Sequence, residues 1–299
     1  MLRLNLLLLL IFTMSNAFGA NKLQVFVSVL PQKFFVEQVA GELVDVEALV
    51  TPGQSPATYN PTPKQIQKLA AAAVFFRTGV PYENAWLPRI KAANPDLKII
   101  DARTVTPLLV MSEHDHDDAH DDEHAHDEHD AHQDEPAESP DPHLWTNPIN
   151  VIAQAKQIRD FLIAYLPKHQ AQLSANTSLF IEQLQNLDQQ INKQLAPLTN
   201  RRFMVFHPSW AYFADRYDLH QVSVEREGKE PGARSLAHLI DQAQRENIKV
   251  IFIQPQFSQK AAQTIARAIN GQVEVIDPLA EDYLQNLAKV ADLLARQLQ

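Results

Sequence analysis

At 299 residues and 45% hydrophobic, with no cysteine, the chain is long and apolar enough for two cores of ordinary size, which excludes an intrinsically disordered protein and a disulfide-stapled scaffold. A formal net charge of -10 argues against a nucleic-acid partner, because phosphate backbones call for a basic face. Much of that acidity comes from one stretch, residues 113–135, which also carries seven histidines, at 114, 116, 120, 124, 126, 129 and 132.

Residues 1–20 have the three-part layout of a secretory signal peptide: Met1-Leu2-Arg3, an apolar run over 4–12, then small or polar residues to Ala20. Cleavage after Ala17 and cleavage after Gly19 are both compatible with the pattern, and the run is too short to span a bilayer. No cysteine is present to take a lipid, so the expectation is a periplasmic monomer without a membrane anchor. Short β-branched or aromatic runs at 23–29, 44–50, 74–77 and 98–101 then alternate with helical segments at 32–40, 63–72 and 82–93. Such a β/α series with crossover connections predicts a mostly parallel sheet. The 113–135 stretch has dense like charge and no apolar periodicity, and is expected to be a solvated loop.

Two long helical patterns follow, at 149–166 and 169–195. In the second, Leu173, Phe180, Leu184, Leu187, Ile191 and Leu195 recur at helical steps and share one face. The first plan then repeats, with strands at 203–206, 221–225, 250–253 and 273–276 and helices at 210–217, 235–246, 259–269 and 280–298. The predicted fold is α/β, two lobes each with a mostly parallel four-stranded sheet and flanking helices, bridged by a long helix. The expected division is an N-terminal lobe over 21–167, a linker helix over 168–198 acting as the hinge element, and a C-terminal lobe over 199–299. Two lobes make a cleft, and ligands bind in clefts between domains.

Three metal-ligand types sit in compact motifs. His207 follows the apolar run Phe203-Met204-Val205-Phe206 and precedes Pro208; Asp277 follows 273–276 and precedes Pro278. Ligand groups collect beyond the carboxyl ends of parallel strands, and a following proline biases each residue away from helix. His143 lies in Asp141-Pro142-His143-Leu144-Trp145, ahead of a long helix. Taken singly, His207 reads more readily as a core or capping histidine and Asp277 as a helix N-cap, while His143 reads equally as a loop histidine. Imidazole and carboxylate are nonetheless what divalent transition metals prefer where no thiolate exists, and the three occur together. No nucleophile elbow, phosphate-cradling glycine loop or HExxH helix is present.

At these residues the sequence resembles the periplasmic zinc- and manganese-binding proteins of metal ABC transporters, the cluster A-I solute-binding family. The resemblance runs through Thr51-Pro52-Gly53, Tyr59-Asn60-Pro61-Thr62-Pro63, the 141–145 motif, Phe206-His207-Pro208-Ser209-Trp210 with Tyr212-Phe213, Gly228-Lys229-Glu230-Pro231 and Val275-Ile276-Asp277-Pro278-Leu279. It implies two lobes bridged by a long rigid helix, a buried metal with ligands His143, His207 and Asp277, and delivery to a membrane permease. Histidine at 207 resembles the zinc-type variant, so Zn2+ is expected ahead of Mn2+. One departure stands out: Ala57, in Ser55-Pro56-Ala57-Thr58-Tyr59, occupies the place of the family's first ligand histidine. Tyr59, Glu83, Glu227, a water or a histidine of the 113–135 stretch would have to take over. Two other functions fit the same residues: a secreted zinc-dependent hydrolase with an open coordination position, and a degenerate periplasmic metal buffer working through the histidine-rich stretch.

Overall fold

The computed structural model describes residues 22–110, 139–225 and 229–298. The expected signal peptide, the 113–135 stretch and Glu227 lie outside the described residues.

The N-terminal half is built from β1 (Leu23–Val27), α1 (Leu30–Ala40), β2 (Val44–Ala48), α2 (Pro63–Leu69), β3 (Val74–Arg77), α3 (Pro81–Ala93) and β4 (Lys98–Asp101). Its four strands pair in parallel in the order β2-β1-β3-β4. Val25, Val27, Val74 and Phe75 are fully buried, as expected for strands covered on both faces by crossover helices. Prolines at the first turns of α1, α2 and α3 begin these helices where a backbone N–H would have no partner anyway. Thr62 adds a reciprocal cap to α2 with Gln65.

Two helices follow, α4 (Pro148–Tyr165) and α5 (Gln170–Leu195). At 26 residues α5 spans about 39 Å. All six apolar residues of its predicted face are buried, and so are Thr177 and Asp188 on the same face. The C-terminal half repeats the first plan: β5 (Arg202–Val205), α6 (Ala211–Arg216), β6 (His220–Ser223), α7 (Ala233–Arg245), β7 (Val250–Ile253), α8 (Gln259–Ala268), β8 (Gln272–Val275) and α9 (Tyr283–Gln297). Its parallel sheet has the order β6-β5-β7-β8, the same topology as the first.

α1 and α9 both pack on α5, so one apolar core runs from Val25 and Phe35 through Phe180 and Leu184 to Phe213 and Leu294. Phe34 and Phe35 of α1 meet Phe180 of α5 and Tyr283 of α9 in a ring cluster, with Phe35 edge-on to Tyr283 at 4.8 Å between centroids. The helix expected as a hinge element is therefore clamped along its length. Asp188 explains its own burial: Arg216 holds both its oxygens at 2.8 and 2.6 Å, and the Tyr217 hydroxyl donates to Oδ1 at 3.0 Å. Among the described residues no helix is long and apolar enough to cross a membrane.

Candidate metal centre

A cleft of about 500 Å³ opens between the two sheets at the carboxyl ends of their strands. Its walls are the 55–58 turn, the Gly79–Pro81 turn, Pro142–His143, His207, Gln254, Phe257 and Pro278. His143 and His207 face each other across it, ring centroids 5.3 Å apart.

His143 is held from behind. One oxygen of Asp141 accepts both the His143 backbone N–H, at 2.8 Å, and ring Nδ1, at 2.7 Å. A carboxylate only accepts, so the bond fixes the proton on Nδ1 and leaves Nε2 as the free lone pair. Thr78 steadies the same turn by donating to the Pro142 carbonyl at 3.0 Å. Trp145 packs edge-on to His143 and sends its indole N–H to the Pro278 carbonyl, 2.6 Å away, tying the turn to the opposite half.

His207 sits two residues past the end of β5. The Gln254 side chain brackets its backbone, accepting from the His207 N–H at 3.2 Å and donating to its carbonyl at 2.7 Å. The ring stacks on Phe257 at 5.2 Å, and Nδ1 lies 3.3 Å from Oε1 of buried Glu225. Both imidazoles thus have a carboxylate at Nδ1 and present the other nitrogen side to the cleft.

Asp277, expected as the third ligand, lies two residues past β8 and lines an adjoining pocket of about 200 Å³ with Thr51, Gln256 and Glu281. Gln256 and Leu279 border both cavities. One Asp277 oxygen accepts from the Leu279 N–H at 2.9 Å and from the Gln256 amide at 3.3 Å. It caps its own turn rather than the next helix, which starts only at Tyr283. Among the described residues no three His, Asp or Glu side chains converge closely enough to hold a metal ion. The structure brings His143 and His207 together and leaves Asp277 beside them.

Ala57 lines the same cleft and is exposed there. Two of the groups considered as its replacement are engaged elsewhere. Tyr59 is buried beside Tyr82 and donates to Gln65 at 2.8 Å; burial pushes its phenol up, partly offset by that bond. Glu83 is wholly buried and accepts from Arg77, Ser28 and the backbone N–H groups of Thr78 and Gly79. Its work is structural: it fixes the Gly79 wall of the cleft. Gly79 has φ +93, and a Cβ there would stand 2.7 Å from the Arg103 side chain, so only glycine fits.

The two histidines stand out in the sequence by their motifs; the carboxylates behind them do not. Asp141 was legible as an Asp-x-His pair, two residues being the spacing at which an Asp side chain turns back on its own chain. Glu225 left a weaker trace, a charge ending the alternating run Val222-Ser223-Val224. Gln254 and Phe257 carried no local signal.

The two-sheet arrangement has known counterparts. A solved structure of ZnuA superposes with a TM-score of 0.82 at 36% identity, covering 93% of this chain and 100% of that one. The zinc-binding lipoprotein AdcA of Streptococcus pneumoniae is 28% identical over 270 residues, covering 87% of this chain but 50% of its own, so the chain spans about half the length of that relative. The high-affinity zinc uptake system protein ZnuA of Bacillus subtilis is 28% identical over 263 residues, 87% of this chain and 79% of that protein. The family described as zinc-uptake complex component A, periplasmic, matches residues 25–297, nearly all of the described chain, and the chain belongs to it.

Proposed function

We propose that this chain is an extracytoplasmic solute-binding protein that captures Zn2+ in the cleft and hands it to the membrane permease of an ABC transporter. The observation that carries the reading is the opposed pair His143 and His207, each with Nδ1 on a carboxylate and its other side on the cleft. Nitrogen-rich coordination suits zinc better than manganese, which prefers oxygen ligands. Asp277 joins the set by swinging out of the adjoining pocket, exchanging the long 3.3 Å contact with Gln256 for the metal. A water or a group from outside the described residues fills the position that Ala57 leaves open.

The chemistry favours capture over hydrolysis. A zinc hydrolase needs a base beside its metal-bound water, and among the described residues lining the cleft there is no Asp, Glu, Lys or Tyr. The test is competitive titration of zinc against a chelating indicator, using protein purified without a histidine tag. His143→Ala and His207→Ala should each weaken one-to-one binding severely while leaving it measurable, and Asp277→Ala should weaken it less. Tight binding that survives both histidine substitutions would move the site elsewhere in the chain.

A further inference from the structure

Both imidazoles at the cleft rest on carboxylates, but the two carboxylates differ in how they are placed. Asp141 is local to His143, two residues away in one turn. Glu225 reaches His207 from a different strand. The parallel pairing of β5 with β6 continues past the strand ends, where Val224 N–H donates to the Val205 carbonyl and Glu225 N–H to the Phe206 carbonyl, both at 2.9 Å. That register sets Glu225 beside His207, with 3% of its side chain exposed. Its Oε1 meets His207 Nδ1, whereas Oε2 is buried with no hydrogen-bond partner among the described residues.

A half-satisfied buried carboxylate is costly, because the charged group has given up its water for a single contact. Among the described residues the cleft is lined by no carboxylate, so until Asp277 swings in from the adjoining pocket the negative charge nearest the two rings lies in the layer behind them. Outer partners of this kind fix a metal-binding histidine's tautomer and raise its basicity.

We propose that Glu225 is a positioning residue for zinc: it holds the proton of His207 on Nδ1, so that Nε2 is the lone pair offered to the cleft, and it lends that nitrogen its charge. The inference rests on the reading of His207 as a ligand, and the experiment separates the two. In full-length, metal-free protein at pH 8, 15N spectra of the histidine rings should show His207 protonated on Nδ1, and Glu225→Leu should move the proton toward Nε2. Zinc affinity by indicator competition should fall 10–100-fold in Glu225→Leu. In a His207→Ala background the same substitution should change affinity less than twofold, because its route to the metal has gone.

A loss of equal size in both backgrounds, or a His207 tautomer unmoved by Glu225→Leu, overturns the positioning role. If His207→Ala leaves zinc binding intact, the ligand assignment falls, while the tautomer measurement still decides what Glu225 does to His207. Should Glu225→Leu fail to fold by thermal melting, the isosteric Glu225→Gln takes its place. It keeps an acceptor for Nδ1 but loses the charge, so the expected result is an unchanged tautomer, about tenfold weaker zinc and the same dependence on His207. Wild-type affinity in Glu225→Gln would overturn the contribution of charge.

Discussion

Ala57→His adds an imidazole to the cleft that His143 and His207 line. The 55–58 turn that carries it is pinned: Ser55 accepts from the Ala57 N–H through its hydroxyl at 3.3 Å and from the Thr58 N–H through its carbonyl at 3.2 Å. Pro56 restricts the chain further. Ala57 faces the cavity that His143 and His207 also line, and nothing buries its methyl group. An outer partner of a metal ligand is worth about 10–100-fold in affinity, roughly 1.4–2.7 kcal/mol, and an inner-layer imidazole contributes no less. Ordering an exposed ring costs about 0.5–1.5 kcal/mol. The midpoints of these ranges differ by about 1 kcal/mol, roughly fivefold tighter zinc. Indicator competition on wild type, Ala57→His and His143→Ala measures it. Affinity unchanged in Ala57→His, with His143→Ala still damaging and both variants folded, would refute the reasoning and show that another group already completes the coordination.

Three further outcomes follow from other parts of the fold. Phe180→Ala on α5 empties the junction between α1, α5 and α9 and should cost about 3–5 kcal/mol in denaturant unfolding, with one transition retained; a loss under 1 kcal/mol would mean that the junction is not the common core. Deleting residues 113–135 should leave the melting temperature nearly unchanged, because Asp141 N–H bonds the Leu109 carbonyl at 2.9 Å and Tyr212 bridges Leu109 and Asp141 without help from that stretch. Weak additional zinc sites should disappear in calorimetry while the tight one remains. Tyr212, pushed up to about 12 chiefly by burial, binds its proton more tightly folded than unfolded. Its contribution is fully present below the unfolded value near 10 and fades as pH rises toward 12; Tyr212→Phe should cost about 1–3 kcal/mol at pH 8 and lose stability less steeply above pH 10.

Periodicity made α5 readable because 26 residues repeat one apolar face many times over. Asp188 on that face broke the pattern, and its partner Arg216 is 28 residues away, beyond any local window. Strand cores were equally legible, but their ends were not. The readings at 203–206 and 273–276 ran one residue too far, because Phe206 and Ile276 are as apolar as a strand yet already belong to the turns that carry His207 and Asp277. The last helix was expected from 280 and begins at Tyr283, after Asp282. Of the site, the two histidines announced themselves by motif. What Glu83 and Tyr59 do could not be read, because each is committed to groups that only the fold brings near: Ser28 and Arg77 for one, Tyr82 and Gln65 for the other.

The apolar core that passes through α5 without a seam bears on how a loaded molecule differs from an empty one. Wide opening would expose Phe35, Phe180 and Tyr283 to water together, at roughly 1.5–3 kcal/mol for each side chain. A molecule for which opening is that costly stays closed with or without the ion, so the global outline hardly reports occupancy. The difference must be written in short segments at the rim: the 55–58 turn, the Asp277 turn and the Trp145 indole that joins the His143 turn to Pro278. A membrane partner that accepts only the charged carrier would have to feel those few residues, and scattering profiles with and without zinc would nearly coincide.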